Sequence, residues 1–519
     1  MKKFFISVSL SALMAGVLFT GCKKKDFADN YYNPEKAVTA DIPRLYAGLF
    51  YNEKVMPRYW NLYTFQIPVL GTYSQTSGYT NGKGIYEQPT NYTTDRWNDF
   101  YTSVVSRYRE IEKYYNGLNT DAEKEGYKLF LETARIFLYD QATQIADMWG
   151  DIPFKTAGGL NAEGKIELPS YDKAEDIYNT VFLELKRISD YLATVNPSSF
   201  YLDQLKSYDY VNGGNLLKWR KYANSLMLRL AMRISFKDEA TAKSLAQTIL
   251  SNPTQYPLVN TADESIVIQA NSVTSSLLPS DQNEIRNGFG VNPYAPGKMV
   301  NDVMVPSADP RLPVYFTKNS NGNYKGISNT LTEAQVTAGI TAGEFSRWDS
   351  TTFTEDHLLP GVILTAAEVS FMKAEAFERW GGGDAKTAYE TGIRQSIEFW
   401  FKVNNRSDYS AAKDPMPTEA EIVTFLIKPG IMYGTDNLNK IATQKWIDFN
   451  IMSANQAWAE LRRTKLPVLS FPTDGSSTIS PNVPNRLLYP SSERTLNAIN
   501  YEAVKAEDNV TTKIFWDVK

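Results

Sequence analysis

Side chains able to do covalent or acid–base chemistry are scarce in this sequence. Its 519 residues include one histidine, His357, and one cysteine, Cys22. A zinc site of the usual kind needs three or four His or Cys ligands, so none can be assembled. A Ser-His-Asp hydrolase needs an activated nucleophile, and no G-x-S-x-G elbow occurs. No G-x-x-x-x-G-K-S/T or G-x-G-x-x-G phosphate loop is present either; Gly381, Gly382 and Gly383 follow a helical pattern with no strand before them. His357 is expected to be a surface or hydrogen-bonding residue. Paired carboxylates are the catalytic route left open, because glycoside hydrolysis needs two acids about 5–9.5 Å apart, one with a raised pKa. Asp95 with Asp99 and Asp147 with Asp151 have suitable spacing, but among 58 acidic residues such pairs arise by chance. No catalytic residue, metal site or cofactor is expected.

Binding chemistry is better represented. Aromatic residues make up 13% of the chain, with 32 Tyr and 10 Trp. Their rings offer apolar faces with a polar handle, which suit sugar rings or peptide side chains. Neighbouring Asn, Asp, Arg and Gln would satisfy hydroxyls or amides. Residues 57–94 are low in charge and rich in Gly, Thr, Asn and Tyr, and they carry Trp60, Tyr63, Tyr73, Tyr79 and Tyr86. Unstructured connections of that length are uncommon and often functional. The clustered rings there form either a satellite core or an exposed platform. Residues 251–360 are a second irregular stretch, with Tyr294, Tyr324 and Trp348 as exposed aromatics. These residues are the candidate ligand-binding set. With a net charge of −4, 22% charged residues and no basic stripe, nucleic acid is not an expected partner.

The N-terminus carries address information. Lys2 and Lys3 precede an uncharged, mostly apolar run over residues 4–19, too short for a membrane span and typical of a secretory signal. Leu18-Phe19-Thr20-Gly21-Cys22 resembles a bacterial lipoprotein lipobox, with Phe19 where the common pattern has Leu. The expected order is a signal peptide at 1–21, lipidation at Cys22, a polar tether at 22–41 and one domain at 42–519. Such a chain is soluble in its body and held to a membrane by lipid.

The elements that must position the aromatics are helices. Residues 364–400 read as two amphipathic helices joined by the glycine turn 381–383, with Asp384 capping the second. Val369, Met372, Ala376 and Trp380 line one face of the first. Ala388, Tyr389, Gly392, Ile393, Ser396, Ile397 and Trp400 line one face of the second. Ala376, Ala388 and Gly392 let the backbones approach. Such a hairpin cannot bury its apolar face alone, so it needs similar neighbours, as in tetratricopeptide-like repeats. Further helices are expected over 95–115, 121–149, 170–192, 215–236, 417–426, 437–452 and 454–463. Leu438 is expected to point inward in one of them. Arg220, Arg229 and Arg233 are read either as solvating their helix or as buried salt links. Arg462 and Arg463 suit a helix C-terminus. The chain thus reads as all-α, with a helical core at 95–250 and 361–463. Irregular ligand-side segments at 57–94 and 251–360 contain minor β hairpins. An extended segment at 464–519 ends in a strand-like tail at 514–518.

Several motifs together resemble the SusD/RagB family of outer-membrane nutrient-binding lipoproteins, its SusD-like branch in particular. They are the lipobox; Ala146-Asp147-Met148-Trp149-Gly150-Asp151-Ile152-Pro153; Leu217-Lys218-Trp219-Arg220-Lys221-Tyr222-Ala223-Asn224 through Arg233; and Asp309-Pro310-Arg311. Thr443-Gln444-Lys445-Trp446, Ala457-Trp458 with Glu460-Leu461-Arg462-Arg463, and Arg486-Leu487-Leu488-Tyr489-Pro490 with Glu493 complete the set. The resemblance implies a core of four tetratricopeptide-like units (an α/α superhelix) and no catalysis. It implies partnership with a TonB-dependent transporter of the SusC/RagA kind, to which an oligosaccharide or a peptide is delivered. It also implies attachment to the outer membrane, on the cell surface. The acidic run that often follows the lipidated cysteine is replaced here by Lys23, Lys24 and Lys25 before Asp26. A structural or interaction lipoprotein without a ligand is the remaining reading.

Overall fold

Thr365 and Asp384 start the helical pair around which the rest is stacked. Thr365 accepts from the Glu368 N–H and Asp384 from the Thr387 N–H, each at 3.0 Å, satisfying donors that a helix start leaves free. The helices run Ala366–Trp380 and Ala385–Arg406, and Gly381 and Gly382 take the positive φ values that turn the chain between them. Gly392 is the close-approach point: a Cβ there would lie 2.6 Å from the Phe371 ring. Gly392→Ala is therefore expected to cost about 1–3 kcal/mol through overpacking, read as a lower urea midpoint with an unchanged slope.

The computed structural model describes residues 41–79, 84–160, 164, 166–270 and 283–519. The signal, Cys22 and nearly all of the tether lie outside these, and residues 42–519 form one compact unit. It is all-α with a tetratricopeptide-like helical core. Helix Ala174–Thr194 packs on Asp121–Trp149 and on Leu216–Arg233, which in turn packs on Glu239–Ser251. Asn437–Phe449 packs on Ala366–Trp380 and on Ala454–Thr464. Thr120 and Glu123 form a reciprocal capping box at the start of the longest of these helices. Two small antiparallel sheets occur among the described residues. Ile152–Pro153 pairs with Tyr171–Asp172, and Ile266–Ile268 pairs with Gly361–Leu364.

Several local expectations change. Tyr171 and Asp172 are in the first sheet, so the next helix starts at Ala174. Within 57–94, residues 59–74 are one continuous helical run, mostly the π-helix Leu62–Gly71. It is buried on almost every side, so no amphipathic period marks it, and Pro68 disguises it further. The wide π turn accommodates a ring that would strain an α-helix. Leu438 lies exposed at the start of its helix. The tail forms no strand, although it packs back: Trp516 is fully buried and donates to Asp147 Oδ1 at 2.7 Å.

Buried ion pairs fasten the helices to one another. Arg463 grips Glu375 at 2.7 and 2.6 Å and Glu460 at 2.6 Å. Glu460 also takes Arg233 at 2.7 Å and Lys445 at 2.9 Å. Arg229 holds Glu368 at 2.7 and 2.6 Å. Arg311 chelates Asp309 at 2.9 and 2.6 Å and donates to Gln444 at 2.6 Å. Arg229 and Arg233 are thus salt links in the core. The pair Arg462 and Arg463 does more than complement a helix end: Arg462 lies 3.7 Å from the Trp458 ring centroid and caps the carbonyls of Asp147 and Asn485.

Candidate functional site

Of the paired carboxylates, Asp147, Asp151 and Asp99 have hydrogen-bond partners and Asp95 is exposed. Asp147 accepts from Trp516 and Tyr178 and lies 3.4 Å from Arg233 Nε. Asp151 accepts from the Ala174 N–H at 2.8 Å and from Lys173 at 2.7 Å. Asp95 is exposed, and Asp99 accepts from Ser103 at 2.9 Å. His357 Nδ1 lies 3.1 Å from Asp408 Oδ2, and no group of three or more His, Cys, Asp or Glu residues could hold a metal ion among the described residues. Beside His357, burial pushes the Asp356 carboxyl up to about 7. Its folded pKa lies above the ordinary value, so its contribution favours folding below about pH 4 and is lost as pH rises towards 7. Asp356→Asn is expected to stabilise the protein by about 1–2 kcal/mol at pH 8 and to give no gain at pH 4, in chemical melts at the two pH values.

The candidate aromatics divide between core and surface. Tyr73, Tyr79, Tyr86 and Trp348 are buried, contrary to an exposed platform. Tyr73 donates to the Tyr86 carbonyl at 3.0 Å, Tyr86 to the Pro472 carbonyl at 2.6 Å and Tyr79 to the Thr72 carbonyl at 3.3 Å. Trp348 is enclosed by Phe316, Phe353 and Phe289, with ring centroids 4.8, 5.1 and 6.2 Å away. These rings hold loops down, and they are withdrawn as ligand contacts.

Trp60 and Tyr63 come together on the surface. The first helical turn of the buried run, Tyr59–Asn61, turns Trp60 outward at 54% exposure. Tyr63 and Tyr59 are half-buried beside it. Tyr59 stacks on Tyr63 with centroids 5.1 Å apart and meets Trp60 edge-on at 4.9 Å. Glu284 anchors the turn, accepting from the Tyr59 N–H and from Arg58 Nη1 at 3.3 Å each. Arg58 in turn lies 5.7 Å from the centroid of Tyr51, itself an exposed ring. The result is a braced indole flanked by phenols and by the buried Arg58 paired with the half-buried Glu284. Such a surface presents a flat apolar face with polar groups at its edge. Tyr59, Tyr51, Arg58 and Glu284 were missed in the sequence. The i, i+4 spacing of Tyr59 and Tyr63 was the available signal, hidden because the segment reads as a loop.

Tyr294 and Tyr324 are half-buried elsewhere. Arg347 lies 5.3 Å from the Tyr294 centroid, which packs on a small satellite core of Tyr79, Ile327, Val336 and Phe345. Lys318 lies 5.8 Å from the Tyr324 centroid. Burial raises the Tyr324 hydroxyl's pKa, as do the charges of Asp414 and Asp349. Asp414 also lines an open cleft of about 820 Å³ with Pro310, Pro313, Phe401, Met416 and Phe425.

A family profile described as starch-binding and associating with the outer membrane matches residues 50–490. The chain belongs to the SusD-like family. No curated protein sequence matches it. Among solved structures, a chitin-binding protein superposes with TM-score 0.74 at 23% identity, covering 92% of this chain and 100% of its own. A SusD homolog from Parabacteroides distasonis gives 0.72 at 21% identity, covering 92% of this chain and 98% of its own. A chitin-binding SusD homolog from Flavobacterium johnsoniae gives 0.70 at 21%, covering 92% and 99%. At these identities the likeness establishes the fold. The motifs quoted for the family resemblance supply its buried clamps: Asp147, Arg233, Asp309, Arg311, Lys445, Glu460 and Arg463 all lie in the ion-pair networks. No helix among the described residues is long and apolar enough to cross a membrane.

Proposed function

We propose that this SusD-like protein binds an oligomeric nutrient, an oligosaccharide, on the Tyr59–Trp60–Tyr63 surface and passes it to a TonB-dependent transporter of the SusC/RagA kind. The observation that carries the reading is the exposed, braced indole of Trp60 beside the half-buried rings of Tyr59 and Tyr63. A sugar ring stacks on such a face, with the flanking phenols at its rim. The family's starch-binding description and the chitin-binding relatives support the substrate class. Tyr294 and Tyr324 are proposed as secondary contacts. Binding without catalysis fits the structural commitment of Asp147 and Asp151. The N-terminal order supports a signal peptide at 1–21 and a lipid anchor at Cys22, tethering the protein to the outer membrane at the cell surface.

The test is calorimetry of the chain from residue 23 onward against pooled oligosaccharides and then pooled peptides. Saturable heat with a glycan supports the reading. Heat with peptides alone replaces it with the peptide-binding version, which the apolar cleft around Pro310, Phe401 and Met416 favours. Silence from both pools leaves the interaction lipoprotein. Transporter delivery is tested separately, by co-purification with a TonB-dependent barrel from membranes.

A further inference from the structure

The aromatic turn has a second, inward face. Asn61, Leu62, Phe65 and Gln66 are buried there and line a cavity of about 30 Å³, together with Arg96 and Gln141. One water needs about 10–15 Å³ measured this way, so the space suits two small particles. Arg96 is 3% exposed. Its Nη2 donates to the neutral Gln141 Oε1 at 2.9 Å. Asp99 and Asp140 attract its charge but form no ion pair with it. Asp140 is engaged with Arg229 and Tyr222, and Asp99 accepts from Ser103 on Oδ1 while its buried Oδ2 has no hydrogen-bond partner among the described residues. Arg96 Nη1 and Gln141 Nε2 are buried donors with no acceptor among the described residues. Both belong to the cavity wall, whose rim adds the ammonium-bearing Lys54. Asn61 Oδ1, a buried acceptor on the same wall, also lacks a donor there.

A buried guanidinium with no ion pair of its own is costly, and two unpartnered donors among the residues of one cavity wall suit an acceptor that carries negative charge. We propose that this cavity holds a small monovalent anion, of the halide class, between Arg96 Nη1 and Gln141 Nε2, with one water reaching Asn61. The anion neutralises Arg96 and stiffens the turn that presents Trp60.

The probe is chloride, on the chain from residue 23 onward, which keeps the whole compact unit 42–519. The melting temperature is followed as chloride replaces gluconate at fixed ionic strength. Wild type is expected to gain about 2 °C, approaching the mass-action dependence of a single site. Gln141→Glu places a carboxylate beside Arg96 where the anion would lie, so its melting temperature is expected not to respond. Arg96→Gln removes the charge and is expected to lose the response as well, which covers a failure of either variant to fold. Crystals grown in bromide are expected to show an anomalous peak between the two side chains. Equal responses in wild type and variants, no response in wild type, or water alone at that position overturns the proposal.

Discussion

Glu460→Ala is expected to lower the unfolding free energy at pH 7 by about 3–5 kcal/mol, because it strips the shared counter-charge from the buried Arg233, Arg463 and Lys445. Burial alone would raise the Glu460 carboxyl. The three cations more than offset that and hold it well below the ordinary glutamate value. Glu375 is lowered in the same way: burial raises it, and Arg463 overcomes the effect. The sign of the pH dependence follows. A carboxylate whose folded pKa is depressed contributes stability that is present above its unfolded pKa, near 4.5, and lost as pH falls through the folded value. Wild type should therefore lose stability on acidification below about pH 4.5, and Glu460→Ala should show a shallower decline. Urea melts at pH 7 and pH 4 measure both effects. Glu460→Gln, which keeps the shape and an acceptor oxygen, should fall between the two. An alanine variant as stable as wild type would mean that the network does not hold the helices together.

Trp60→Ala is expected to weaken glycan binding by about 2–4 kcal/mol, a 30- to 1000-fold rise in Kd, while leaving the melting temperature within about a degree. The side chain is more than half exposed, so its removal opens no cavity, and Glu284 still fastens the turn through the Tyr59 N–H. Trp348→Ala is the contrast. That indole is enclosed by Phe289, Phe316 and Phe353, and its truncation should destabilise by about 3–5 kcal/mol. Any loss of binding would then track loss of folded protein. Thermal melts beside titrations separate the two variants: one alters Kd at constant stability, the other alters stability.

Amphipathic helices were legible wherever one face meets solvent. The pair spanning 366–406 shows its apolar spacing, its Asp384 cap and its glycine turn in the sequence, and the small Gly392 marked the close contact with Phe371. The long helix ending at Trp149 was legible from its terminal signals. The π-helix Leu62–Gly71 was not, because a segment buried all round carries no period and Pro68 reads as a breaker. For the same reason the aromatics after it read as a surface. Whether a Tyr is buried depends on partners far away in the chain, as with Tyr86 and Pro472. Buried salt links were one legible reading of Arg229 and Arg233, whereas the Arg463 clamp did not show for a related reason: Arg463 looks like a helix end until Glu375, 88 residues away, is brought beside it. Of the candidate site, Trp60 and Tyr63 were found from composition, while the residues that brace them were hidden by the loop reading.

The most direct measurement is a paired calorimetric titration of wild type and Trp60→Ala with a glycan that binds the wild type saturably. The account predicts a Kd at least 30-fold weaker in the variant, at an unchanged melting temperature. An unchanged Kd in a folded Trp60→Ala protein would contradict it and move the ligand away from the Tyr59–Trp60–Tyr63 turn.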